Sequence, residues 1–154
     1  MSVPHVVFLC TGNSARSQLA EALLRHHAQG RLAAHSAGTQ PKGVHPLTLA
    51  VLHERGIDTQ GLHSKQVAEV LGDIQPAYLI VVCDEADRNC PAGTAAEAER
   101  LFCPFPDPAR ATGSEEERLA VFRQVRDQIE QRIRDLGGKS SGSRSSRGWS
   151  TGSF

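Results

Sequence analysis

The chain has 154 residues, 17 Lys and Arg against 17 Asp and Glu, and four cysteines. That length suits one domain around one core, and the balanced charge offers nucleic acid or an anionic membrane no bulk attraction. No apolar run approaches the ~20 residues of a membrane span, and no basic, apolar leader opens the chain. Cytoplasm is therefore the expected compartment, where thiols stay reduced and are more often chemical than structural.

In chain order, His5 to Cys10 is an apolar run that reads as a strand, followed at once by a helical pattern. That helix, Ser17 to about Gln29, carries Leu19, Ala20, Leu23 and Leu24 on one stripe, and Gly30 ends it. Arg31 to Ser36 reads as a second strand. Pro46 opens a helix to Arg55, with Gly56 as its stop, and Val67 to Leu71 forms a short helix ended by Gly72. Ala77 to Cys83 is an unbroken apolar run, as expected of a strand covered on both faces.

Asp84 to Ala111, punctuated by four prolines, reads as loop. Ser114 and Glu117 have capping-box spacing. The helix they start places Leu119, Phe122, Val125, Ile129, Ile133 and Leu136 on one face before Gly137-Gly138. Residues 1–137 thus form a single α/β domain, and 138–154 a flexible Gly/Ser/Arg-rich tail. Without Lys139, Arg144 and Arg147 of that tail, 14 bases face 17 acids, so the folded body carries −3 and attraction for an anion must be local.

Alternating strands and helices predict a small doubly wound fold, a central parallel sheet of about four strands flanked by helices. Ligands of such sheets bind beyond the carboxyl ends of the strands. Cys10 and Cys83 both close predicted strands, so both thiols are expected at one crevice.

The segment from Cys10 through Thr11, Gly12, Asn13, Ser14, Ala15, Arg16 and Ser17 joins strand to helix. Backbone N–H groups of such a turn, with a helix N-terminus behind them, cradle a tetrahedral oxyanion. Arg16 adds a planar fork of donors, and a Cys10 thiolate would be the nucleophile. Asn13 suits a left-handed turn. Ser17 either donates to the thiolate or caps the helix. The seven histidines show no metal spacing, and no metal is expected.

Cys83 and Cys90 stand seven apart, and opposite a nucleophilic thiol they suggest a redox relay. A helical Asp84–Cys90 would separate them by ~10 Å along its axis, beyond the roughly 4.4–6.8 Å that a disulfide spans between Cα atoms. Oxidation would therefore remodel this segment. Cys103 reads as a small, partly buried hydrophobe. Asp107, between Pro106 and Pro108, suits a general acid protonating a leaving oxygen.

The body to about Leu136 resembles the thioredoxin-coupled arsenate reductases, which have the low-molecular-weight protein tyrosine phosphatase fold. The resemblance lies in Phe8 to Ser14 with Arg16-Ser17-Gln18, Ser36-Ala37-Gly38, Gly56-Ile57-Asp58, Cys83 with Cys90-Pro91, and Asp107-Pro108-Ala109. It implies reduction of arsenate to arsenite in arsenic detoxification. Cys10 attacks arsenic, Arg16 neutralises charge, Asp107 donates a proton, and Cys83 then Cys90 resolve the adduct. Thioredoxin is the implied external reductant, phosphate and sulfate are competing oxyanions, and a monomer without bound cofactor is expected. The alternative is a tyrosine phosphatase working through a Cys10 phosphoenzyme.

Two positions depart from the family pattern. Ala15 replaces a frequent cysteine outside the relay. Lys65 stands where some members have an acidic residue that helps hold potassium with the residues matching Asn13, Glu21 and Ser36. A lysine cannot ligate a cation, so its ammonium is expected to pair with Glu21 instead.

Overall fold

The structure is a computed structural model in which residues 3–83 and 97–138 are described, with side chains to 135. Four parallel strands form one sheet: β1 (His5–Cys10), β2 (Ala33–Gly38), β3 (Tyr78–Val81) and β4 (Glu99–Phe102), in the order β2-β1-β3-β4. The helices are α1 (Arg16–Ala28), α2 (Pro46–Glu54), α3 (Val67–Asp73) and α4 (Glu115–Gly138), with a 3-10 turn at Pro108–Arg110. The expected small α/β architecture is the one observed. Among the described residues, no helix is long and apolar enough to cross a membrane.

Strand β1 explains the layering. Consecutive side chains point to opposite faces, yet Val6 through Cys10 are all buried, so both faces are covered. The chain leaves β1 for β2 on one side and then crosses to β3 on the other. The crevice this reversal creates lies beyond the carboxyl end of β1, at Cys10.

Most element ends fall within one or two residues of the sequence reading, and the differences at β2, α3 and β4 have clear causes. Strand β2 runs two residues later, because pairing with β1 places Ala33 opposite His5 and Gly38 opposite Cys10, while Arg31 closes a turn onto the Ala28 carbonyl. Helix α3 passes through Gly72 to Asp73. Strand β4 lies within the segment read as loop. It is an edge strand, and its Glu99 and Arg100 are exposed, so no apolar run announces it.

Helix α4 begins at the expected capping box. The Ser114 N–H donates to Glu117 Oε1 at 2.7 Å, and the Glu117 N–H donates to Ser114 Oγ at 3.1 Å. Its Phe122, Val125, Ile129 and Ile133 are buried; the Leu136 side chain lies outside the described residues. Helix α4 packs on α1 and α2. Buried Glu130 joins all three, meeting His27 Nε2 of α1 at 2.7 Å and Arg55, just after α2, at 2.5 Å. His27 thus has a specific partner beyond the helix dipole.

His45 ties the Cys10 loop to α2 and α4. Its N–H donates to the Ser14 carbonyl at 3.1 Å, its Nδ1 accepts the Leu47 N–H at 3.0 Å to cap α2, and its ring lies 4.8 Å from that of Phe122. Burial holds this imidazole below its ordinary pKa of 6.5; Arg118 adds to the depression and Asp107 opposes it. A depressed pKa favours the neutral folded form, so its stability contribution is full above 6.5 and is lost as pH falls through the folded value. Burial and neighbouring His5 depress His35 in the same way. Thermal melts from pH 7 to 5 should therefore show falling Tm. His45→Asn, whose amide oxygen can cap without titrating, should remove part of that fall.

Candidate active site

The loop after β1 owes its shape to where its carbonyls go. The Cys10 carbonyl accepts from Thr39 N–H, Thr11 from Gln40, Gly12 from Lys42 and Ser14 from His45, at 2.8 to 3.2 Å. The Asn13 carbonyl accepts from Gln18 Nε2 at 3.1 Å and Ser64 Oγ at 2.6 Å, and Thr48 Oγ1 adds a bond to Ser14 at 3.0 Å. With the carbonyls tied outward, the N–H groups turn inward, and those of Gly12, Ser14 and Ala15 take no protein acceptor among the described residues. Helix α1 begins without a side-chain cap or an acidic residue in its first turn, so its positive end faces the same space.

Two residues allow this turn. Asn13 is fully buried at φ 47°, and its Oδ1 accepts the Lys65 N–H at 2.8 Å. Gly38 closes β2 against the loop; a Cβ there would stand 2.6 Å from the Thr11 carbonyl oxygen, so no larger residue fits without moving the loop.

Cys10 Sγ lies under the turn. The Asn13 N–H donates to it at 3.2 Å, and Ser17 Oγ lies 2.8 Å away. Asn13 Nδ2 donates to the same Ser17 oxygen at 2.8 Å, which leaves the hydroxyl proton to point at sulfur. Of the two roles open to Ser17, the structure gives the contact with the thiol: the N-cap position belongs to Ala15. The sulfur is thus held by contacts with both Asn13 N–H and Ser17 Oγ.

Opposite the loop, the β4 extension supplies Asp107. The N–H groups of Cys103 and Phe105 donate to the Val81 and Val82 carbonyls at 2.8 and 3.1 Å, drawing this segment along β3. Arg16 donates to the Phe105 carbonyl at 3.2 Å and lies 3.5 Å from Asp107 Oδ2. Asp107 Oδ1 accepts the Ala109 N–H at 3.0 Å and starts the 3-10 turn. Between loop and turn is a cavity of about 290 Å³, bounded by Cys10, Thr11, Gly12, Ser14, Ala15 and Arg16 on one side and Asp107, Ala109 and Arg110 on the other, with Lys42 at its edge.

Cys83 is buried just past β3, its Sγ 3.5 Å from Thr11 Oγ1 and so next to the residue that follows Cys10. It adjoins the cavity through Thr11 and is not itself one of the cavity-lining residues. Cys90 and the Asp84–Cys90 segment lie outside the described residues, as does the tail from Lys139. Cys103 is buried, as expected of a small hydrophobe.

Residues 5–142 match the low molecular weight phosphotyrosine protein phosphatase family. An arsenate reductase of Halalkalibacterium halodurans is 42% identical over 84% of this chain and 91% of its own length. The chain belongs to the low molecular weight phosphotyrosine protein phosphatase family, on its arsenate reductase side. A solved arsenate reductase in the phosphate binding state superposes with TM-score 0.73 at 30% identity, covering 87% of this chain and 96% of its own. A thioredoxin-dependent arsenate reductase of Corynebacterium glutamicum superposes with TM-score 0.70 at 28% identity, over 93% of this chain and 64% of its own.

At the position where some family members hold potassium, this chain places the Lys65 side chain. Lys65 Nζ stands 3.6 Å from Glu21 Oε1, which also accepts from Ser36 Oγ at 2.6 Å, and Arg25 pairs with Oε2. Asn13 Oδ1 is taken by the Lys65 N–H. A cation entering this site would meet two positive side chains, Lys65 and Arg25, already paired with Glu21. Exchanging sodium for potassium should change neither activity nor Tm; a clear rise in either would contradict this arrangement.

Sequence reading did not pick out Lys42 or Arg110 as neighbours of the cavity, nor the bracing roles of Ser64, Thr48 and His45. Arg110 could have been flagged by standing three residues from Asp107. Nothing in the Gln40-Pro41-Lys42-Gly43 stretch marks the lysine.

Proposed function

We propose that the chain reduces arsenate to arsenite through a relay of Cys10, Cys83 and Cys90, recharged in the cytoplasm by thioredoxin. The observation that carries this reading is a second buried thiol, Cys83, 3.5 Å from the hydroxyl of the residue following Cys10. A phosphatase has no use for a thiol there.

Arsenate enters the cavity with its oxygens toward the free loop N–H groups, and Arg16 shifts its fork from the Phe105 carbonyl to the anion. The Cys10 thiolate attacks As(V); the S–As bond forms, and an As–O bond breaks as Asp107 protonates the departing oxygen. Cys83 thiolate then attacks Cys10 Sγ. The S–S bond forms, the electron pair of the S–As bond stays on arsenic, and arsenite leaves as As(III). Cys90 attacks Cys83, releasing the Cys10 thiolate and leaving a Cys83–Cys90 disulfide for thioredoxin to reduce. Two electrons have moved from thiols to arsenic. Cys83 is buried, so an external protein cannot reach it, and a further thiol is needed to carry the disulfide outward.

Against the phosphatase alternative, no aromatic side chain among the described residues lines the cavity, and Tyr78 sits at the start of β3, the end away from Cys10. Cys90→Ser tests the relay. One equivalent of arsenite should form per chain, a Cys10–Cys83 disulfide should accumulate by mass mapping, and steady turnover should be lost. Full steady turnover in Cys90→Ser would overturn the relay.

A further inference from the structure

Three of the four charged side chains at the cavity are already engaged with one another. Arg16 lies 3.5 Å and Arg110 4.0 Å from the same Asp107 oxygen, so one carboxylate offsets part of both cations. Lys42 differs. It is the cavity-lining cation that has no acidic partner among the described residues, although the folded body as a whole is acidic.

Its placement is built in. The Lys42 N–H donates to the Gly12 carbonyl at 2.9 Å, one of the bonds that turn the loop's N–H groups inward. Its aliphatic stem runs over Gly12, where an added Cβ would lie 3.4 Å from Lys42 Cδ and 3.6 Å from Cγ. Gly12 therefore leaves room for the stem, and Lys42 lines the cavity beside Cys10's loop. An uncommitted point charge there attracts a doubly charged oxyanion more than a singly charged one, and salt screens it.

The geometry points to Lys42 as a specificity-determining residue that collects small, multiply charged oxyanions for the Cys10 loop. Resting on the arsenate reductase reading, this adds to it the residue that selects substrate by charge. The cavity offers Lys42, Arg110 and Ala109 where an aryl ester would need an apolar wall.

The test uses the full chain, Lys42→Ala, Lys42→Glu and Lys42→Arg, with two readouts. Calorimetry measures phosphate affinity at pH 8 and perchlorate as a monoanion of the same shape; steady-state kinetics measures arsenate KM and kcat. At low ionic strength, Lys42→Ala should weaken phosphate and raise arsenate KM about fivefold to tenfold, affect perchlorate less, and leave kcat within about twofold. Lys42→Glu should be worse and Lys42→Arg close to the parent, and raising salt should shrink all differences. Phosphate affinity and KM in Lys42→Ala within twofold of the parent, with the same salt dependence, would overturn the proposal. Because phosphate binding needs no reduction, a parent chain inactive on arsenate but sensitive to Lys42→Ala in phosphate binding would refute the reductase reading while upholding Lys42.

Discussion

Cys83→Ser is expected to lower steady arsenate turnover by about a thousandfold or more while changing phosphate affinity by less than about threefold. Serine fills the same space and can keep the contact with Thr11 Oγ1, now 3.5 Å from sulfur, so the loop should hold its shape. What is lost is the second thiol. A hydroxyl is not ionised at neutral pH and cannot form a disulfide, so the Cys10–arsenic adduct has no internal route to As(III). Mass measurement after arsenate treatment should find the chain stalled as that adduct. A phosphatase would keep its full hydrolysis of p-nitrophenyl phosphate in this variant, and a chain that still reduces arsenate at the parent rate would show that Cys83 is a bystander.

Arg16→Lys is the second large effect, a fall in kcat/KM of about a hundredfold to a thousandfold. Charge is conserved, and only the planar fork is removed. The guanidinium can bind two oxygens of the anion at once, whereas an ammonium on a shorter reach offers a single point. In the resting site Arg16 bridges the Phe105 carbonyl and Asp107, so it also fixes the distance between the acid and the loop. The loss should therefore fall on kcat as well as on KM, with Tm nearly unchanged because the side chain lines a cavity and lies outside the core. A variant with parent kcat and a raised KM would mean that positive charge alone is sufficient.

The loop and its nucleophile were legible because they are contiguous: strand, turn and helix lie within residues 5–28, and each has a local signal. The parallel sheet was legible from Val6–Cys10 and Leu79–Val82, whose unbroken apolar character requires cover on both faces. Strand β4 was not legible, because an edge strand needs one buried face at most and its pairing partner is set by the rest of the sheet. Asp107 was read as a general acid, and β4 is what carries it to the cavity. Lys42, Ser64 and Thr48 act through single hydrogen bonds or proximity to the loop across the fold, which leaves no period or spacing to read. Cys83 was recognised by position, but its contact with Thr11 depends on how β3 ends.

On the proposed mechanism, electrons reach arsenic through cysteines recharged by a protein dithiol. Arsenate-dependent NADPH oxidation tests it, measured with thioredoxin and thioredoxin reductase and compared with glutathione and glutaredoxin. Sustained oxidation with the thioredoxin system, absent without arsenate and abolished in Cys10→Ser, is the result predicted. No oxidation with thioredoxin, or turnover supported only by glutathione and glutaredoxin, would contradict it.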